Sequence, residues 1–467
     1  MTDLPFLPAL EQADLVRTKQ ISPTELVNEY LERIEKFDQT LNSYVTLLGE
    51  QALDQAAEAE RRLGSDDLPP FHGVPISIKD LNEVAGVRTT SSTKTHADRV
   101  AQEDDSTVRR IKESGFIIMG KTNTPEFGLF PMTESELNGV CRNPWDTDRT
   151  PGGSSGGAAA GVAAGLAPIA QGSDGGGSIR IPSSCCGLFG IKPSRGRVSS
   201  APKMGESLSG LSTNGPIART VADAAAMLDV IAGYETGDPY WAPEPERPFA
   251  QEVGADPGRL RVAFTAENPL GSPVDPDCLA ALQSTCELLQ SLGHTVEEAK
   301  PEWDDPNASS FFVTIWATLT VPYGIPSDQM EPLNRTLTEL AESTPSTKFV
   351  ESKNGIHKLS REIVAFWDEF DLLVTPTLAL PPIPVGWIHE EEDPWQQFVR
   401  SGLFAAFTPI VNLTGQPAVS VPLYWNEAGL PIGTQIVGRP ADEATLFRIS
   451  AQLEEARPWA ERRPPVS

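Results

Sequence analysis

Apolar residues along this chain follow two alternating rhythms. In some segments they recur every three or four positions, which places them on one face of a helix. In others they form short runs or strict alternations bounded by Gly, Pro, Asn or Asp, the pattern of strands. The first rhythm predicts helices over 22–37, 50–63, 105–114, 158–166, 221–232, 278–292 and 443–453. The earliest of these has a start signal of its own. Ser22 can cap it, Pro23 can open it and Glu25 can close a capping box, ahead of Leu26, Tyr30, Ile34 and Phe37. The second rhythm predicts strands in GVPISIKD (73–80), FIIMGKTN (116–123), 168–171, RLRVAFT (259–265), HTVEEA (294–299), DLLVTPT (371–377), PAVSVPL (417–423) and PIGTQIVG (431–438). Ile76 and Ile78 alternate with Ser77 and Lys79, so Lys79 ends its strand with its side chain opposite the isoleucines.

Strand and helix segments alternate from end to end. That order predicts an α/β fold in which a large mixed sheet lies between layers of helices. We expect one domain over 1–467, with a core at about 65–230 and a C-terminal part, 231–467, that completes the sheet and covers a pocket. Segment 325–350 and the proline-rich Pro376–Pro384 read as irregular and are expected to lie over that pocket.

Composition narrows the partners. Charged residues are 22% and hydrophobic ones 39% of 467 positions, which fits a folded chain. The net charge of −27 repels nucleic acid and anionic membranes, so neither is expected as a partner. The five cysteines are odd in number and two of them, Cys185 and Cys186, are adjacent, which is no disulfide framework. The five histidines are scattered without zinc-ligand spacing, and no metal is expected. The N-terminal stretch is acidic and lacks a long apolar run, so a reducing, cytoplasmic setting is the expectation.

The chemistry concentrates in PGGSSGGAAAGVAAGLAPIAQGSDGGGSIRIPSSCCG, 151–187. A linker would be solvated and polar, but this run contains apolar residues and ends in Leu-Phe-Gly-Ile. A phosphate loop would need a lysine after GGSSGG or dinucleotide spacing around Gly175-Gly176-Gly177, and both are missing. In the third reading, the three glycines before Ser178 leave backbone N–H groups able to face one negative oxygen. Ser178 would then attack the carbon that bears it. A hydrolase elbow of the form GxSxG is absent, and no histidine lies in these segments. A lysine can serve as base if burial lowers its pKa, and Lys79 is the candidate. The alternative is that Lys79 simply pairs with Asp80 or Asp174.

GVPISIKD, PGGSSGGAAAGVAAG and QGSDGGGSIRIPSSCCGLFGIKPSRGRVS together closely resemble the amidase signature hydrolases. KTNTPEFG, NPWD, NGPIART, DLLVTP and NLTGQPAVSVP fall around them in the expected order, so the resemblance covers most of the chain. It implies a Ser–cis-Ser–Lys triad, with Lys79 as base, Ser154 as bridging cis-serine and Ser178 as nucleophile. It also implies an oxyanion hole from the backbone of Gly175, Gly176, Gly177 and Ser178, and a substrate-contacting backbone at Gly128. Asp174 and Arg180 are expected to hold the nucleophile loop, and Ser155 to support the triad. Thr133 and Ser135 are further candidates to reach substrate, and Trp316, Phe311 and Phe312 to wall an apolar pocket. No cofactor is implied.

The implied activity is cleavage of a small-molecule carboxamide through an acyl-enzyme, by a monomer or homodimer. Apolar aryl or alkyl amides, oligoamides, esters and carbamates or urethanes all suit such a site. One branch of the family releases ammonia from glutamine for transfer-RNA-dependent synthesis. Those subunits carry an acidic residue before the Phe-Thr that precedes NLxGxP, where this chain has Ala405-Ala406-Phe407-Thr408. That role is therefore the alternative, beside a catalytically idle scaffold of the same fold.

Overall fold

A computed structural model describes residues 4–65 and 67–467. In chain order the strands are β1 (Tyr44–Leu47), β2 (Pro75–Lys79), β3 (Ile117–Thr122), β4 (Glu134–Ser135), β5 (Gly139–Val140), β6 (Ile169–Asp174), β7 (Phe189–Lys192), β8 (Thr213–Ala218), β9 (Arg261–Phe264), β10 (Thr295–Glu298), β11 (Leu372–Pro376), β12 (Ala418–Trp425) and β13 (Pro431–Val437). Among the described residues, β4 and β5 form a small hairpin and the other eleven strands form one mixed sheet. Its order is β1-β3-β2-β6-β8-β7-β12-β13-β11-β9-β10. The predicted α/β class is therefore what the chain adopts.

The alternation along each strand explains the layers. Ile169, Ala218, Val374 and Ile436 enter one buried cluster, and their neighbours Ala170, Ile217, Leu373 and Val437 enter another. Successive side chains point to opposite faces, so the sheet has an apolar core on each side, closed by helices. Every residue of β2 and β3 is buried, which makes them central strands covered on both faces.

The predicted helices form within a few residues of their expected ends. The first spans Pro23–Leu41, and its capping box is complete: Glu25 N–H donates to Ser22 Oγ at 3.1 Å, and Ser22 N–H to Glu25 Oε2 at 2.9 Å. Segment 325–350 departs from expectation. It holds a helix over Pro332–Ser343 and the start of another over Ser346–Val364. Leu333 and Leu337 bury one face of the first, and packing against that face outweighs the Thr- and Ser-rich composition. Among the described residues no helix is long and apolar enough to cross a membrane.

Candidate active site

Topology brings Lys79 to the glycine-rich run. β2 and β6 are parallel neighbours, with Ser77 opposite Ala170 and Ile78 opposite Gln171. Their C-terminal ends therefore emerge side by side, with Lys79 closing one and Ser173-Asp174 closing the other. Gln171 fixes the join: its Oε1 accepts from the Lys79 N–H at 3.0 Å. Ile76 and Ile78 point into the core on the other face, as the alternation requires.

Lys79 is fully buried, and its Nζ lies 2.7 Å from Ser154 Oγ and 3.1 Å from Ser173 Oγ. Neither neighbouring acid pairs with it. Asp80 is taken by Lys121, at 3.1 Å between two fully buried groups. Asp174 is taken by Arg180 at 2.8 Å. Burial pushes Lys79 down to about 7, against the opposing pull of the Asp174 charge. The amine is thus substantially neutral near neutral pH and can accept a proton from a hydroxyl.

Ser154 follows a cis peptide bond from Gly153. The next residue links the two halves of the run: the Ser155 N–H donates to the Ser178 carbonyl at 3.2 Å. Ser155 Oγ bonds both the carbonyl and the N–H of Ser173, at 3.2 and 3.3 Å, so it holds Ser173 rather than touching Lys79. Ser173 was not among the expected site residues. The predicted strand stopped at Gln171, whereas β6 runs on to Asp174 because its pairing with β8 continues through Ser173–Asn214 and Asp174–Thr213.

The loop from Asp174 to Arg180 is built around one carboxylate. Asp174 Oδ1 accepts from the Gly177 N–H at 2.8 Å and from Asn412 Nδ2 at 2.9 Å. Asp174 Oδ2 accepts from the Ile179 N–H at 3.1 Å and from Arg180 Nε at 3.0 Å. Burial acts to raise this carboxyl, but Arg180, Lys192 and Asn412 overcome it and hold the group well below the usual carboxylate range. The Arg180 guanidinium also donates to the Thr408 carbonyl, Gln435 and Asn412. This corrects one expectation. The Gly177 N–H is spent on Asp174 and is not available to a substrate oxygen, which leaves Gly175, Gly176 and Ser178 as candidate donors.

Ser154, Ser173, Gly175, Ser178 and Gly128 open onto one cavity of about 660 Å³. Gly128 has φ +70°, and a Cβ there would stand 3.1 Å from Ser154 Oγ, so its backbone lies directly against the serine. Trp316 walls the cavity and stacks on Phe312 at 5.0 Å between ring centroids. Phe311 packs instead against Gly355. The wall comes from Trp316–Tyr323, not from 325–350. Thr133 and Ser135 do not line it; Thr133 Oγ1 donates to the Gly152 carbonyl at 2.8 Å and Ser135 Oγ accepts from the Asn138 N–H. All five cysteines are buried and free, and so pack as small apolar side chains.

The family model described as Amidase matches residues 25–447. The chain belongs to the amidase family. Its chemistry is hydrolysis of amide C–N bonds. The 6-aminohexanoate-cyclic-dimer hydrolase of Paenarthrobacter ureafaciens is 36% identical, over 98% of this chain and 96% of the relative. The acylamidase of Rhodococcus erythropolis is 35% identical, over 99% and 98%. A solved structure of 6-aminohexanoate cyclic dimer hydrolase complexed with substrate superposes with a TM-score of 0.93 at 35% identity, covering all of both chains. A bacterial aryl acylamidase superposes at 0.88 with 28% identity, over 98% of this chain and 97% of the other.

Proposed function

We propose that this amidase works as a serine hydrolase with Ser178 as nucleophile, Ser154 as proton relay and Lys79 as base. The observation that carries the reading is the buried Lys79 amine, 2.7 Å from Ser154 Oγ and without a carboxylate partner of its own. In the neutral form it takes the Ser154 proton while Ser154 takes that of Ser178. Ser178 Oγ then bonds to the amide carbon, and the carbonyl oxygen becomes an oxyanion facing the N–H groups of Gly175, Gly176 and Ser178. The proton returns through Ser154 to the leaving nitrogen, since an amine leaves poorly as its anion. Water attacks the acyl-enzyme by the same relay and frees the acid.

The aromatic wall of the cavity and the two relatives named for a cyclic oligoamide and an acyl amide support amides with an apolar arm as substrates. Carbamates present the same acyl carbon and nitrogen leaving group. Ser178→Ala should abolish hydrolysis while leaving the melting temperature intact, and a fluorophosphonate should add once, at Ser178. Adduct formation elsewhere, or activity that survives Ser178→Ala, overturns the assignment. A panel of anilides, primary amides, glutamine, esters and carbamates then reads substrate preference.

A further inference from the structure

The cavity has two kinds of lining. Phe127, Trp316, Leu319 and Tyr323 make one of them apolar. The other is ionic and gathers Glu83, Arg99, Asp105 and Lys203. A chain of hydrogen bonds ties it to the reacting centre: Gln171, which holds the Lys79 N–H, donates to Asn82 Oδ1 at 3.0 Å, and Asn82 Nδ2 donates to Asp105 Oδ2 at 3.2 Å.

Charges on the ionic wall are not equally accessible. Arg99 Nη2 and Lys203 Nζ both bind the Glu83 carboxylate, so two cations share one anion. The Arg99 and Lys203 side chains keep 34% and 38% of their surface exposed, whereas Glu83 keeps 9%. Asp105 Oδ2 is turned to Asn82 and to the Glu83 N–H at 2.9 Å. Burial keeps His96, also on this lining, on the neutral side. Glu206 is bound by Lys353 and Tyr240. On this lining the Arg99 and Lys203 side chains are thus more exposed than the Glu83 carboxylate they share. This stands out in a chain of net charge −27. The long-range field of the molecule is screened over about 8 Å at physiological salt, so the local cations decide what binds.

We propose that the amide cleaved here carries a carboxylate on one arm, received by Arg99 and Lys203, while the apolar wall takes the other arm. The substrate class is that of carboxylated amides, such as N-acyl amino acids and linear oligoamides of amino acids. The inference rests on the Ser178 hydrolytic reading and adds the substrate's charge to it.

Two matched chromogenic pairs test it. On the acyl arm, glutaryl para-nitroanilide is compared with its neutral methyl-ketone isostere. On the amine arm, the butyramide of a carboxylated para-nitroaniline is compared with that of para-nitroaniline itself. In at least one pair, kcat/KM for the carboxylate should exceed that of its neutral partner by about tenfold and fall as salt is added. Arg99→Gln and Lys203→Gln should each lower that ratio. Glu83→Gln should raise it by removing the competing carboxylate, an effect that a wall-building role alone would not produce. A ratio of one or less in both pairs, with Ser178-dependent turnover of the neutral anilides, overturns the inference and leaves the hydrolytic reading standing. So does a preference that survives the Arg99→Gln/Lys203→Gln double variant. If none of the four compounds is turned over through Ser178, the hydrolytic reading falls and takes this inference with it.

Discussion

The role proposed for Lys79 follows from what its neighbours already hold. Two carboxylates stand close to it, and each has a stronger claim on another cation. The amine is left with hydroxyls at 2.7 and 3.1 Å, and burial favours its neutral form. Protonated Lys79 cannot accept the serine proton, so activity should be low on the acid side. We expect kcat/KM to rise with pH through a midpoint near 7, the value to which burial brings this lysine, and then to level off. A profile flat from pH 5 to 9, on the order of four units across that midpoint, would remove Lys79 as base. Lys79→Ala should lower kcat/KM by about 10²- to 10⁴-fold. At Asp174 the same argument runs through structure. Asp174→Asn strands the Arg180 guanidinium in the interior, at a cost of about 3–5 kcal/mol read by urea denaturation.

At the scale of elements, the loop from Asp174 to Arg180 depends on a glycine whose backbone no other residue fits. Gly177 has φ +131°, and a Cβ there would collide with Thr408 and Ile181. Gly177→Ala should therefore displace the loop and cost activity by at least about 10²-fold, with the loss in kcat rather than KM. Steady-state kinetics on an anilide separates the two. Element boundaries also show where sequence patterns run short. β6 contains Gly172, a poor strand former, and alternation alone ended it at Gln171, which hid Ser173. β7 and β8, with FGIK and TNGPIA, are short and broken by Gly190 in one and by Gly215-Pro216 in the other, which weakens their strand signal, and neighbouring strands pair with both. The helices over Ala308–Ala317, Pro332–Ser343, Ser346–Val364 and Pro394–Phe404 were not predicted either. Each is partly exposed, with polar residues interleaved among its apolar ones, so its amphipathic stripe becomes decisive only against the elements it packs on.

For the whole molecule, a buried lysine near the sheet is a standing cost to stability. In the unfolded chain Lys79 stays charged up to about 10.4. In the folded chain it gives up its proton near 7. Between those values unfolding takes up a proton, so this group makes stability rise with pH across that window and leaves it unchanged below. Lys79→Met should accordingly be more stable than the parent at pH 7, and the gap should close toward pH 10. Urea denaturation of both proteins at a series of pH values checks the sign. A gap constant from pH 7 to 10 would mean that the buried amine keeps its proton throughout.

The sequence by itself determined which groups are the candidates for the chemistry. Lys79 at a strand end, Ser154 within GGSSGG and Ser178 behind three glycines were legible because strand alternation, turn chemistry and a long composite motif are written in neighbouring residues. The α/β order was legible for the same reason. Only the tertiary structure decided which acid pairs with which base, that the Gly177 N–H belongs to Asp174, and that Trp316–Tyr323 lines the same cavity as Arg99 and Lys203. Those outcomes depend on which strands become neighbours and on which side chains lose water together. Both are settled by packing between residues far apart in the chain, where local pattern has no say.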